Sequence, residues 1–301
     1  MGTLVGTIAC SVDAEQAQDD ATGPPTPYQP QLSLDEEGAP LAPEALEEGL
    51  TEIIAYLVRQ DPLLQHEAWT EVFWGNAEDG VCPIVGDHNG QDYWREDCTT
   101  SAGARFNGWS LNFREGGWID EQGMEVQQYN WLSGHATIEL PDGSRLQNFG
   151  DVELLIARGP DYDLLEGFVF GDFSWDDPSA DGSWLQEEIS GEIYFRFEDH
   201  GSHRTAGYEG GLTFLTGPVL AGRLEGLYLD GAPGACALEP QGRVRLRDAQ
   251  GGWVEVDLGA GGAAEADCDG CGVASQDGAE LGPVCADWTP FLSWSGWPWQ
   301  R

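Results

Sequence analysis

The chain has 301 residues, of which 41% are hydrophobic, so it can bury the core of one large or two modest domains. It carries 53 acidic residues against 13 basic ones, all of them arginine, for a formal net charge of −40. This charge argues against nucleic acid as a partner, because such a surface repels phosphate backbones, and it predicts a heavily solvated surface that salt or divalent cations stabilise.

The first ten residues end in Ile8-Ala9-Cys10, a pattern typical of the end of a bacterial lipoprotein signal, in which the cysteine is lipidated. Thr7 stands where leucine is usual, and the basic region and most of the apolar region of such a signal are missing. A start codon placed too far downstream explains both departures, whereas the alternative is an accidental cysteine in a disordered leader. We interpret residues 1–10 as a truncated signal with Cys10 as the lipidation site, which also accounts for the odd cysteine among seven.

Residues 11–42 are acidic and rich in proline, with few large apolar residues, and are predicted to form a disordered tether. The chain contains no apolar run of 18 residues, so no transmembrane helix is expected and the lipid anchor is the only predicted membrane contact. These features predict an exported lipoprotein at the outer membrane, at the cell surface or in the periplasm.

Residues 43–64 are predicted to form one amphipathic helix, which Pro43 begins and Pro62 stops. Its apolar residues follow the spacing of a single helical stripe: Leu46, Leu50, Ile53, Ile54, Leu57 and Val58. We expect this stripe to cover a sheet, with docking to a partner protein as the alternative.

Residues 65–262 carry almost only strand signals, built on glycines that are each followed by alternating apolar positions. Several of these glycines are about 16 residues apart, which matches two short strands with two tight turns. The pattern therefore predicts a mainly β fold, an antiparallel up-and-down meander in which each glycine marks a strand start or a bulge. To bury one face, the meander is expected to roll into a barrel or fold into a two-layer sandwich; a solenoid is the alternative.

Six of the cysteines are predicted to form disulfides, and residues 263–301 to form a disulfide-stapled hairpin with a tryptophan-rich tail. A hairpin that turns at Asp277-Gly278 brings Cys271 opposite Cys285, which leaves Cys236 for Cys268, and Cys82 and Cys98 form a local pair. A zinc site at the four C-terminal cysteines and a redox-active pair of Cys268 and Cys271 are the alternatives, although only one CxxC is present and no thioredoxin-like pattern surrounds it.

No cofactor is expected. His200 and His203 are a candidate metal pair, although their spacing is that of a solvated turn. Two stretches rich in aspartate and glycine, 176–182 and 267–270, could hold a structural Ca²⁺ but lack the register of an EF-hand loop. The chain carries no nucleophile elbow, P-loop or HExxH motif, so no catalytic residue is assigned.

The 13 tryptophans are the one sign of a ligand, because exposed indole rings stack on sugar rings. A glycan-binding or glycan-hydrolysing protein would combine such a ring with a carboxylate pair, which a chain with 53 acidic residues can supply. The cluster from Trp288 to Trp299 is the richest in tryptophan, and its simpler interpretation is a tail that docks onto the core.

Two segments resemble a known group of proteins. The first runs from Cys82-Pro83 through Tyr93-Trp94 to Cys98-Thr-Thr-Ser-Ala-Gly103, and the second joins Cys268-Asp-Gly-Cys271 to Gly282-Pro-Val-Cys285. Together they resemble uncharacterised secreted lipoproteins of GC-rich Gram-negative bacteria. The resemblance implies export and lipidation and carries no activity. The leading hypothesis is therefore a lipid-anchored structural or binding protein of the cell surface without catalytic activity, whose protein or glycan partner is unknown.

Overall fold

A computed structural model describes residues 41–59, 62–78, 80–88, 91–94, 97–176, 189–214, 219–232, 240–248, 252–259 and 269–292. The predicted signal and tether, Cys10, Cys236 and Cys268 lie outside these residues. So do residues 177–182 and 267–268 of the candidate calcium stretches and the last nine residues of the tryptophan-rich tail.

Three helices and fifteen strands make up the described part of the chain. The helices are α1 (Pro43–Arg59), α2 (Pro62–Asn76) and α3 (Thr289–Leu292). The strands are β1 (Gly86–His88), β2 (Gln91–Trp94), β3 (Cys98–Thr99), β4 (Arg105–Glu115), β5 (Trp118–Ile119), β6 (Glu125–Glu139), β7 (Arg145–Arg158), β8 (Asp163–Asp176), β9 (Ile189–Asp199), β10 (Arg204–Phe214), β11 (Val219–Asp230), β12 (Gln241–Asp248), β13 (Trp253–Asp257), β14 (Cys271–Gln276) and β15 (Ala279–Cys285). None of the described helices has the length and apolar character needed to cross a membrane.

All the strands belong to one antiparallel sheet, which confirms the predicted mainly β meander. Neighbours in the sheet follow chain order from β1 to β15, except that the short strands β3 and β5 pair only with β4 and β6. The described strands do not close into a barrel, because β1 and β15 end the order at opposite edges. Helices cover one side of the sheet: α2 packs on β6, β7 and β8, and α1 packs on β11 and β15. We call the side of the sheet that faces them the inner face and the opposite side the outer face.

The strands are longer than the glycine spacing predicted, and the glycines lie within them. Gly134, Gly150, Gly171 and Gly191 pair with one another in register across β6, β7, β8 and β9, forming a glycine row. A Cβ on Gly150 would overlap the carbonyl oxygen of Phe170, and Gly171 has a φ of +93° that disfavours any side chain. Glycine is therefore required where neighbouring backbones approach this closely. The predicted repeat marks strand interiors at Gly134 and Gly150, a bulge at Gly210 and a strand start at Gly242.

Helix α2 was not predicted, because its stretch was divided between the first helix and the β region. Helix α1 ends at Arg59, before Pro62, but proline is also favoured at the first position of a helix, and here it begins a second one. The buried residues of α2 follow helical spacing, at Gln65, His66, Trp69, Val72 and Phe73. Two of these five are polar, so the apolar stripe is too short to indicate a helix.

Helix α1 covers the sheet as its apolar stripe predicted. Leu46, Leu50 and Ile53 are fully buried, and burial of each such side chain contributes about 1.5–3 kcal/mol. Gly49 lies against Val219 of β11. The Glu47 carboxylate accepts a hydrogen bond from the backbone N–H of Cys285 on β15, at 3.4 Å. The first helix is thus held by the last strand of the sheet.

Candidate functional site

The outer face of β4 to β9 is rich in partly exposed aromatic side chains. Alternation along these strands directs residues such as Phe106, Leu132, Leu154 and Ile193 into the core. The intervening positions point outwards and carry eight aromatic residues, which we call the aromatic face: Trp109, Phe113, Tyr129, Trp131, Phe149, Phe168, Phe170 and Tyr194. All eight are partly exposed, and Tyr194 has 41% of its surface accessible.

Strand register places five of the outward residues in one line across the sheet. Phe113 is opposite Trp131, Trp131 is opposite Glu153, and Glu153 is opposite Phe168, which is in turn opposite Tyr194. We call this line the central row. It crosses five strands, and with neighbouring strands about 4.8 Å apart it is roughly 19 Å long. A carboxylate therefore stands in the middle of a row with two aromatic rings on each side.

A second carboxylate, that of Asp151, lies beside the central row and is largely buried. Burial raises the pKa of Asp151 above its ordinary value, and the neighbouring Ser133 hydroxyl and Trp131 indole partly oppose this rise. The carboxylate of Glu153 accepts a hydrogen bond from the Tyr129 hydroxyl at 2.6 Å. Burial makes the Asp151 carboxylate costly to keep charged, and a pKa shifted in this way is typical of a functional position.

At the β9 end of the aromatic face, Arg196 is already neutralised. The Arg196 guanidinium forms ion pairs with Glu166 and with Glu198, the latter at 2.9 Å. Burial, reinforced by the neighbouring Glu166, raises the pKa of Tyr194, so this phenol stays protonated. The aromatic face therefore presents rings, hydroxyls and carboxylates, and its cation is engaged within the protein.

A second candidate site is a small cavity between α2 and strands β2 and β4. Its lining includes the aromatic residues Trp69, Phe73, Trp74 and Trp94, and its volume of about 10 Å³ is room for a single water molecule. Trp94 Nε1 and Ser110 Oγ are buried and have no hydrogen-bond partner among the described residues. A bound water would satisfy both groups, so this cavity is best explained as a structural water site.

A buried polar network continues from this cavity along α2. His66 Nε2 lies 2.9 Å from Asn112 Oδ1, so the ring N–H donates to the amide oxygen. Asn112 Nδ2 in turn donates to Thr70 Oγ1 at 3.4 Å. Burial lowers the pKa of His66 to about 4, and the histidine is therefore neutral at physiological pH. The network orients polar groups within the core.

The predicted histidine pair lies in the turn from β9 to β10. The rings of His200 and His203 stack with centroids 4.6 Å apart. His200 Nε2 lies 3.2 Å from the Glu198 carboxylate, and His203 Nε2 lies 4.0 Å from that of Asp230. Within the described ranges, no three histidine, cysteine or acidic side chains are placed to hold a metal ion.

Two of the three expected cysteine pairs fall in the described residues, and the structure joins both. Cys82 is bonded to Cys98, and Cys271 to Cys285. Cys271 is therefore not available for a redox pair with Cys268 or for a zinc site. The pair Cys236–Cys268 lies outside the described residues.

The tryptophans divide between the core and the surface. Trp69, Trp94 and Trp288 are buried. The indole of Trp288 donates to the carbonyl of Gly270 at 3.1 Å, so the tail begins by docking onto the core.

The sequence did contain a signal for the aromatic face, namely acidic and aromatic residues alternating with core residues on β7 and β8, at Asp151, Glu153, Phe168 and Phe170. That signal becomes specific only when the register is known.

Comparison with protein-family models, with curated proteins and with solved structures finds no match for this chain. The protein is therefore described by its own fold and candidate site. It is an open antiparallel meander with helices on one side and an aromatic, acidic surface on the other.

Proposed function

We propose that the protein is an exported, non-enzymatic binding protein of the cell surface, and that the aromatic face is its binding surface. The observation that carries this proposal is the central row, in which two aromatic residues stand on each side of Glu153. Partly exposed tryptophan, tyrosine and phenylalanine side chains gathered in one patch are the usual anchors of a binding surface. A surface of this kind is costly to expose unless a ligand covers it.

Export is supported by the two disulfides, because such bonds form and persist in oxidising compartments. The Ile8-Ala9-Cys10 sequence supports attachment through a lipid at Cys10. Mass spectrometry of the mature protein from its native membranes tests this step. A thioether-linked diacylglycerol on Cys10 as the first residue is expected, and an unmodified peptide that spans Cys10 would contradict the anchor.

Binding by the full-length protein to isolated cell envelopes tests the aromatic face. Trp131→Ala removes a ring from the central row and is expected to weaken binding about tenfold, as loss of a central aromatic anchor does. Trp74→Ala is the matched control, because Trp74 is 50% exposed on α2, away from the outer face. Equal binding by the two variants would contradict the assignment, provided that circular dichroism shows both to be folded.

Glycan hydrolysis is the second candidate, because Asp151 and Glu153 lie on the same side of β7 beside Trp131. A raised pKa, as burial produces at Asp151, is what a general acid in glycoside hydrolysis requires. The two carboxylates lie on an open sheet surface, however, and hydrolysis needs a site that encloses the substrate and excludes water. We therefore favour binding. Release of reducing ends by the native protein, abolished by Asp151→Asn, would reverse this preference.

A further inference from the structure

We propose that the ligand of the aromatic face is a polysaccharide without negative charge, which lies across the strands along the central row. This inference rests on the proposed function and names the ligand class of the same surface. It follows from three properties of the row: its flat rings, its hydrogen-bonding groups and its charge.

The rings set the shape of the ligand. Phe113 and Trp131 stand on one side of Glu153, and Phe168 and Tyr194 on the other, at successive strands. Each ring offers an apolar surface, so the ligand must present repeated flat apolar surfaces at a similar spacing. Pyranose rings do so through the C–H groups on their faces. The row is roughly 19 Å long, from strand spacings of about 4.8 Å, which is enough to contact several linked sugar units.

The polar groups of the row determine which hydrogen-bonding groups the ligand must carry at its edges. Between the rings the row offers the carboxylate of Glu153, and Asp151 lies directly beside it. Carboxylates only accept hydrogen bonds, so the ligand must bring donors to positions between its flat faces. Sugar hydroxyls meet this requirement because they project from the rim of each ring. The bond that Tyr129 already donates leaves further acceptor capacity on the Glu153 carboxylate.

The charge excludes the acidic polysaccharides. The chain has a net charge of −40, and Arg196, the cation near the row, is paired with Glu166 and Glu198. A uronic-acid or sulfated polymer would meet carboxylates without a free counter-charge. An arginine-rich peptide also stacks on aromatic rings and donates to carboxylates. It differs from a neutral glycan in one measurable respect, since ion pairs weaken as salt is added.

Affinity electrophoresis of the full-length protein tests the inference, using native gels that contain a soluble neutral β-glucan, a mannan or a xylan. A matched gel contains the carboxymethylated form of the same β-glucan. We expect retardation by at least one neutral polymer and none by the carboxymethylated form. Trp131→Ala and Phe168→Ala should each weaken the retardation about tenfold, whereas Trp74→Ala should leave it unchanged. Glu153→Gln should weaken it by a smaller factor, because the amide keeps one acceptor oxygen.

The outcomes separate this inference from the function on which it rests. If no neutral polymer retards the protein while Trp131→Ala still abolishes envelope binding, the surface binds another class of ligand and the glycan assignment is wrong. If high sodium chloride abolishes binding to envelopes and the protein also binds polyarginine, the surface is assigned to a cationic protein instead. If Trp131→Ala retains both its binding to the polymers and its binding to envelopes, both proposals are overturned.

Discussion

The hydroxyl of Tyr129 on β6 donates a hydrogen bond of 2.6 Å to the carboxylate of Glu153 on β7, diagonally across the two strands. This bond orients the Glu153 carboxylate, which stands at the middle of the central row. A change at either residue should therefore be felt by the other, both in stability and in ligand binding.

Replacing the Asp151 carboxylate with a neutral amide should stabilise the protein at neutral pH. Burial raises the folded-state pKa of Asp151. The stability that its neutral carboxyl contributes is therefore fully present below the unfolded pKa of about 3.9 and is lost as pH rises through the folded pKa. Asp151→Asn should thus gain stability relative to the native protein at pH 8 but not at pH 3.5. Urea denaturation at the two pH values measures the free energy of unfolding of both proteins. A variant that is less stable than the native protein at pH 8 would contradict the destabilising effect of the buried charge.

His66 should make the protein sensitive to mild acid. Its pKa is lowered from 6.5 to about 4 by burial, so the stability that depends on its neutral form is complete above 6.5 and is lost as pH falls towards 4. The loss amounts to about 3 kcal/mol at most, at 1.36 kcal/mol per pKa unit. His66→Gln, which keeps a donor for Asn112, should flatten the difference in unfolding free energy between pH 7 and pH 4.5. Parallel pH profiles of the two proteins would contradict this role.

Gly150→Ala should be strongly destabilising, because the added Cβ would overlap the carbonyl oxygen of Phe170 on the next strand. We expect a loss of about 2–4 kcal/mol in unfolding free energy, as for other changes that force backbone apart in a packed sheet. Gly75→Ala is the matched control: it lies in α2 with open space around it, and alanine should gain up to about 1 kcal/mol there. Chemical denaturation of both variants checks the pair, and similar effects at the two positions would contradict the close approach.

Sodium chloride should raise the melting temperature, because a chain with a net charge of −40 repels itself and salt screens that repulsion. Calcium chloride at matched ionic strength separates screening from binding, because only a bound ion raises the melting temperature beyond the effect of screening. Differential scanning calorimetry compares the two salts. An additional rise with calcium alone would indicate a bound ion, and the acidic stretches 176–182 and 267–270 would be the first segments to examine.

The sequence predicted those features that depend on local periodicity. The stripe from Leu46 to Val58 predicted α1 and its burial, and the recurring glycines predicted an antiparallel meander. Strand length was wrong because a glycine at the middle of a strand and one at its start give the same spacing. Helix α2 was missed because Gln65 and His66 occupy its buried side.

The aromatic face could not be predicted, for a different physical reason. Phe113, Trp131, Glu153 and Tyr194 are on four different strands, and only the register brings them into one line. A shift of one residue in any strand would turn its side chain to the other side of the sheet. The site is therefore a property of the pairing between strands, which composition and local pattern do not determine.

The bond between Glu47 and Cys285 spans 238 positions of the chain, and it has a consequence for biogenesis. The apolar stripe of α1 is synthesised before β11, β15 and α3, against which it packs. A partly synthesised chain must therefore keep Leu46, Leu50 and Ile53 exposed to water or to a chaperone throughout its elongation. Burial of this stripe is therefore completed only after the final hairpin of β14 and β15 is available.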